Sequence, residues 1–288
     1  MTALPVPLSP SPATGATGPD EHEPSSGPRR ALADAWVLTA RTFRHWARQP
    51  GMFLLNLLFP VFTLLMFGYL FGGAMTVAGG GDYREFLVPG TLGLSVLFGI
   101  EATVLAVTTD AAKGVTDRFR ALPMAGSAVL VGRSAADMVT AALGLVAMVA
   151  AGLAVGWRWH EGAGRAAAAL GLFLLLRFAF VWVGIYLGLV LKTPEAAVVV
   201  QILVWPLGFV SSAFTSPEDM PGWLGALSEW NPVSSTITAA RELFGNPGVP
   251  QDGSWIVDHA QAMAVAWPLL LVAVFAPLAV ARYRNLDR

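Results

Sequence analysis

The sequence predicts an all-α integral membrane protein with six transmembrane helices. Three observations carry this. Only 13% of the 288 residues are charged while 55% are hydrophobic, and mean hydropathy is +0.59. A soluble domain carries about 25% charged residues, roughly twice that share. Several apolar runs approach the roughly 20 residues that a helix needs to cross a bilayer, and short polar stretches separate them. The chain has no Cys, which removes disulfides, thiolate chemistry and Cys-based metal sites. A net charge of −1 points to neither a nucleic acid nor an acidic partner.

The elements follow in chain order. Residues 1–28 are rich in Pro, Ser, Gly and Thr and bury too little apolar surface to fold; they read as a disordered tail. They lack the basic segment followed by an apolar run that marks a secretory signal. The remainder, 29–288, reads as one transmembrane domain. Ala31 to Gln49 is helical but does not span. Leu32, Trp36, Ala40, Phe43 and Ala47 recur at three- to four-residue spacing, with Arg41, Arg44, His45 and Arg48 largely elsewhere on the wheel. This pattern suits an amphipathic helix lying in the membrane interface.

Span 1 is expected at about 52–71, with Asn56 and Pro60 inside it, and span 2 at about 86–108, opening on Pro89-Gly90 and carrying Glu101. Proline is tolerated within a bundle where neighbours satisfy the freed carbonyl. A polar island, Thr109 to Arg133, comes next. Span 3 covers about 134–155, with Asp137 near its start. Trp157, Trp159 and His160 follow in a wet loop, placed for an interfacial aromatic belt. Span 4, about 166–191, carries Arg177 in its middle. The turn Lys192-Thr193-Pro194-Glu195 leads to span 5 at about 196–214. Residues 215–261 form a long Pro-rich connection with two helical pieces, one around Trp223, Leu224 and Leu227 and one over Ile237 to Phe244. Span 6 runs from about 262 to 280.

Charge distribution orients the chain. Six spans put the tail, the island, Lys192 and the C-terminus on one side. That side holds Arg29, Arg30, Arg41, Arg44, Arg48, Lys113, Arg118, Arg120, Arg133, Lys192, Arg282, Arg284 and Arg288. The other has only Arg84, Arg158, Arg165 and Arg241. The positive-inside rule then makes both termini and the island cytoplasmic, and residues 215–261 external.

Motifs for chemistry are sparse. Walker A requires G-x-x-x-x-G-K-[ST]; Lys192-Thr193 has the ending but Leu191 precedes it at the close of a span. ATP hydrolysis by that route therefore needs a separate subunit. His22, His45, His160 and His259 are scattered, none spaced with another as metal ligands. Gly152/Gly156 and Gly184/Gly188 form G-x-x-x-G pairs that permit close helix approach. Glu101 and Arg177 are the central intramembrane charges and are expected to face protein or a cavity. Their Cα heights differ by roughly 9 Å at 1.5 Å per residue, within reach of a pair; separate snorkelling or backbone partners is the alternative.

The island is the strongest functional signal. Its Gly114 to Leu122 segment can form a short helix with Val115, Phe119 and Leu122 on one side and Asp117, Arg118 and Arg120 on the other, stopped by Pro123 and Gly126. A mere hydrophilic connector would need neither Phe119 nor a defined helix.

These residues resemble a known family. Val88-Pro89-Gly90, Asp110, Gly114, the DRFRALP segment Asp117 to Pro123, and Gly132-Arg133-Ser134-Ala135-Ala136-Asp137 are similar to the permeases of the ABC type-2 exporter family, close to its daunorubicin-resistance-like multidrug efflux members. Met220-Pro221-Gly222-Trp223-Leu224, Asn231-Pro232-Val233 and Ala240-Arg241 add to the likeness. The resemblance covers about Ala31 to the C-terminus. It implies six spans, an interfacial elbow helix matching Ala31 to Gln49, a cytoplasmic coupling helix between spans 2 and 3, and short external re-entrant helices before span 6.

The resemblance further implies docking of an ATP-binding subunit, present in two copies, at Gly114, Asp117, Arg118, Phe119, Arg120, Leu122 and Pro123. A second permease copy is expected, as a homodimer. ATP and magnesium would sit on the ATP-binding subunit, with no cofactor and no catalytic or metal residue on this chain. Glu101 and Arg177 match no family motif. The expected setting is the bacterial plasma membrane, and the expected cargo a lipophilic or amphipathic drug. Rival readings are export of a lipid or lipid-linked polysaccharide, a multi-span membrane enzyme or sensor, and an ion-coupled secondary transporter. The last two lack the acid/base or metal clusters and the half-to-half repeats they require.

Overall fold

The computed structural model describes residues 58, 60–71, 77, 80–114, 126–250 and 254–285. Every regular element among them is helical. Helix α1 (Pro60–Leu70) runs into a π-helical turn at Phe67–Phe71. The next four are α2 (Tyr83–Ala112), α3 (Gly126–Ala154), α4 (Gly162–Leu191) and α5 (Ala196–Phe209). A 3₁₀ turn at Pro217–Asp219 precedes α6 (Gly222–Glu229), α7 (Pro232–Phe244) and α8 (Trp255–Asp258), and α9 (Ala260–Arg284) completes the bundle. The tail and the Ala31 to Gln49 helix lie outside the described residues.

Helices α2, α3, α4 and α9 are each long and apolar enough to cross a membrane; α1 and α5 are shorter apolar helices. The expected runs at 86–108, 166–191 and 262–280 thus lie within full-length helices, and that at 134–155 ends one residue beyond its helix. Those at 52–71 and 196–214 fall on the two shorter ones. Helix α5 stops at Phe209, before the expected end at Phe214. The chain turns there because its backbone groups find partners outside a helix. The Ser212 amide donates to Ser234 Oγ at 3.0 Å, and the Ser212 carbonyl accepts from Arg241. Backbone leaves a helix at membrane depth only where such partners exist.

The island is more helical than expected at both ends. Helix α2 continues to Ala112, and α3 already begins at Gly126. The two ends of the bundle are named here for what they carry. The island end holds the α2–α3 connection, and the hairpin end holds α6 to α8.

Helix α4 is the hub, packing on α2, α9, α7 and α3. Its Gly184 and Gly188 make the α2 contact possible. A Cβ on Gly184 would sit 2.8 Å from Thr103 Cβ, and one on Gly188 2.7 Å from Val107 Cβ. Only backbone fits there, so the G-x-x-x-G spacing marks a helix crossing. Gly152 and Gly156 do not act as such a pair. Gly152 meets Val88 and Trp157, whereas Gly156 has φ +101° and turns the chain out of α3.

The aromatic belt expected after span 3 is partly a core feature. Trp157 is fully buried, its Nε1 donating to Asn246 Oδ1 at 2.8 Å and its ring edge-on to Phe244. The hairpin folds back over this loop and removes Trp157 from the interface, leaving Trp159 and His160 outward.

Candidate functional site

Two polar layers cross the bundle between α2 and α3. At the island end, Arg133 Nη1 of α3 donates to Asp110 Oδ2 of α2. Seven residues deeper along α2 lies the second layer. Thr103 Oγ1 donates to Asp137 Oδ2 at 2.8 Å and accepts from Arg177 Nη2 at 3.0 Å. Arg177 Nη2 and Asp137 Oδ2 are 4.0 Å apart, with the Thr103 hydroxyl bonded to both. The helical repeat explains the geometry. Thr103 and Asp110 are two turns apart on α2, and Arg133 and Asp137 are one turn apart on α3, so each pair shares a face.

The four charges alternate in sign from Asp110 through Arg133 and Asp137 to Arg177 and sum to zero. That arrangement is the affordable way to hold ions at membrane depth, where one unpaired charge costs about 3 kcal/mol or more. Arg177 is 5% exposed. Room for it comes from Gly99, where a Cβ would lie 2.5 Å from Arg177 Cζ.

Arg177 therefore faces Asp137 and Thr103, and Glu101 faces elsewhere. Two residues along a helix rotate about 200°, so Thr103 and Glu101 point to opposite sides of α2. Glu101 is half-buried and stands apart from that network. This rotation, and not the difference in height, separates Glu101 from Arg177.

Of the expected docking residues, Gly114 is described and the other six are not. With φ +65° and its amide bonded to Ala111 O at 3.0 Å, Gly114 lies just past the end of α2. Asp117, Arg118, Phe119, Arg120, Leu122 and Pro123 lie outside the described residues.

The hairpin end is fastened by Arg241 of α7, which is fully buried. Its Nε and Nη2 donate to Phe86 O at 3.2 and 2.9 Å, and Nη2 also donates to Ser212 O at 2.8 Å. The guanidinium lies 3.6 Å from the centre of the Phe86 ring. Charge-assisted bonds and a π face together offset its desolvation. Gly90 and Gly93 make this docking possible: a Cβ on Gly90 would come within 2.8 Å of the Ala213 carbonyl carbon, and one on Gly93 within 2.6 Å of Ile237 Cγ1. Asn231 caps α7, its Oδ1 accepting from Val233 N at 2.9 Å while Nδ2 donates to Leu207 O at 2.8 Å. Among the described residues no group of three or more His, Cys, Asp or Glu could hold a metal.

The motifs thus resolve into contacts. Val88-Pro89-Gly90 and Arg241 join α2 to the hairpin, Asn231-Pro232 starts α7, and Asp110, Arg133 and Asp137 build the α2–α3 ladder. Residues 33–244 match the family model described as "ABC-2 type transporter". The chain belongs to the ABC-2 type transporter family. It is also 35% identical over 264 residues to the daunorubicin resistance ABC transporter permease protein DrrB1 of Streptomyces coeruleorubidus, covering 90% of this chain and 89% of that protein. Membership of this ABC-2 permease family points to a transport subunit and away from an ATPase. In the sequence Asp137 and Arg241 stand only as a polar residue near the start of a span, an external charge and members of the family-like motifs; their buried partners do not show there. An acid four residues after Arg133, on a face that enters the membrane, was the available signal for the first.

Proposed function

We propose that the chain is the permease subunit of an ATP-driven exporter of a lipophilic or amphipathic compound. The observation that carries this is likeness over nine-tenths of the chain to a permease named for drug resistance. The remaining parts come from the reading of the sequence. Two copies of an ATP-binding subunit supply ATP, Mg²⁺ and hydrolysis, and a second permease copy completes the pathway. The termini and the island face the cytoplasm of a bacterium, and the hairpin faces outward.

The stroke enters at Asp117 to Pro123. Helices α2 and α3 flank that segment and are tied together by Asp110–Arg133 and then, through Thr103 and Asp137, to Arg177 of α4. Displacement of the island is thereby carried to the hub helix. Switching between inward- and outward-facing packing requires ATP-bound partners to bind the two states with different affinity. The exposed apolar face of α5, with Val198, Ile202 and Leu203, suits lipid or a second copy.

The test replaces Arg118, Phe119 and Arg120 by Ala, singly and together. The triple variant is expected to reach the membrane, lose co-purification with the ATP-binding subunit and stop export. If subunit capture and export both survive the triple change, docking at this segment is wrong.

A further inference from the structure

Lys192, Arg282 and Arg284 gather where α4 and α9 end. The two ends are level, because Leu189 of α4 and Tyr283 of α9 share one apolar cluster. Among the described residues none of the three bases is ion-paired. Lys192 and Arg284 are exposed, whereas Arg282 is half-buried and its Nε is enclosed with no hydrogen-bond partner among the described residues. Helical geometry puts Arg282 on the α4–α9 seam. It follows Phe275 by nearly two full turns, so both share a face of α9. Phe275 meets Tyr186 of α4 edge-on across that seam, with ring centres 5.6 Å apart. Val190, one turn beyond Tyr186, is 40% exposed, and Leu278, one turn beyond Phe275, is 43% exposed. The seam is thus an aromatic contact with open aliphatic flanks and basic side chains at its island end. Arg284 is turned by about 200° from Arg282 and points away from it.

From this unpaired cation at the end of a lipid-open seam, we infer that α4 and α9 hold an anionic phospholipid, its phosphate at Arg282 and Lys192 and an acyl chain along Val190 and Leu278. Three physical arguments meet here. A charge at the edge of the bilayer with no counter-ion in the protein is met by an anionic headgroup, and basic groups between spanning helices recognise such headgroups. A guanidinium and a phosphate form charge-assisted, often paired, hydrogen bonds. The carbonyl ends of two helices carry partial negative charge and would repel a phosphate; the two basic side chains reverse that sign. A soluble phosphate would have no use for the aliphatic flanks, and a zwitterionic lipid brings no net charge. The bound lipid bridges the hub helix to α9 and so holds the two together. The site is separate from the charge ladder and from the exposed face of α5, and it depends on the chain spanning a membrane, not on what the chain exports.

The test uses the full chain, purified and delipidated in detergent. Native mass spectrometry follows titration with palmitoyl-oleoyl phosphatidylglycerol, and with phosphatidylcholine of the same chains, into wild type, Arg282→Gln, Lys192→Gln, the double variant and Arg284→Gln. Wild type is expected to take one phosphatidylglycerol more tightly than any phosphatidylcholine. Arg282→Gln and Lys192→Gln are each expected to weaken that first lipid about fivefold, the worth of one basic side chain beside an anionic headgroup, and the double variant to lose the preference. Arg284→Gln removes the same charge at the same helix end and is expected to change the first affinity by less than about twofold. Glutamine keeps a long polar side chain at each position, and helical circular dichroism of the lipid-free proteins checks the fold. Phosphatidylglycerol is expected to raise the melting midpoint of wild type and not that of the double variant.

Equal affinity of wild type for the two lipids overturns the inference, as does unchanged phosphatidylglycerol binding in the double variant. Equal weakening by Arg284→Gln and Arg282→Gln would assign the effect to general surface charge and overturn the seam site too. The soluble headgroup glycerophosphoglycerol separates lipid from free phosphate. If it occupies the site as tightly as the intact lipid, Val190 and Leu278 play no part and the lipid assignment is wrong.

Discussion

The buried pair at the centre of the ladder is the sharpest point of leverage. Replacing Asp137 by Ala strands the Arg177 guanidinium, 5% exposed, with only the Thr103 hydroxyl. At 4.0 Å the lost attraction is about 4 kcal/mol for an effective dielectric near 20. Breaking a buried pair from one side costs about 3–5 kcal/mol. The Asp137 side chain is 20% exposed, which lowers the expectation to about 2–4 kcal/mol. Arg177→Met costs less, because Asp137 keeps its bond from Thr103 and reaches the edge of the bundle. The double variant removes the stranded charge and is more stable than Asp137→Ala alone. Reversible SDS titration of the purified protein in mixed micelles, followed by helical circular dichroism, reads all four proteins. A coupling energy of about 2 kcal/mol or more is expected. Additive effects, or an Asp137→Ala protein as stable as wild type, would refute the pairing.

Three further predictions use the same contacts. Gly99→Ala drives a methyl group into the Arg177 guanidinium and is expected to destabilise by about 1–3 kcal/mol, an effect that disappears in an Arg177→Met background; the same titration reads it. Arg241→Met leaves the Phe86 and Ser212 carbonyls without their donor and is expected to cost about 3 kcal/mol, with hydrogen exchange accelerated across residues 217–244. Arg241→Lys does not restore protection, since a lysine cannot fork to both carbonyls and stack on Phe86. Asn231→Ala removes the α7 cap and is expected to cost about 1 kcal/mol, measured by the same exchange over the first turn of α7.

What could be read from the sequence follows from the range of the signal. Hydropathy is local, so the four long helices were legible from their apolar runs. So were α6 and α7, from Trp223 and Leu227 and from Ile237 to Phe244. Partners are not local. Arg177 meets residues 74 and 40 positions away, on two other helices, and a single sequence carries no register between helices. Rotation about α2 is legible in the sequence: two residues turn a helix by about 200°, which separates Glu101 from Thr103. Trp157 looked interfacial because tryptophan beside a span usually is; only the fold-back of the hairpin, through Asn246 and Phe244, buries it. Arg241 reads as an outer charge in a count and as a buried clamp in space.

The central claim is that this permease moves cargo only when a separate subunit hydrolyses ATP. Its most direct test is uptake of a lipophilic fluorescent probe into inside-out vesicles, with the chain expressed alone, with its ATP-binding subunit, or with that subunit carrying a substituted Walker A lysine. The account predicts ATP-dependent accumulation in the second case alone. Equal accumulation by the chain alone, or with the hydrolysis-deficient partner, would contradict it.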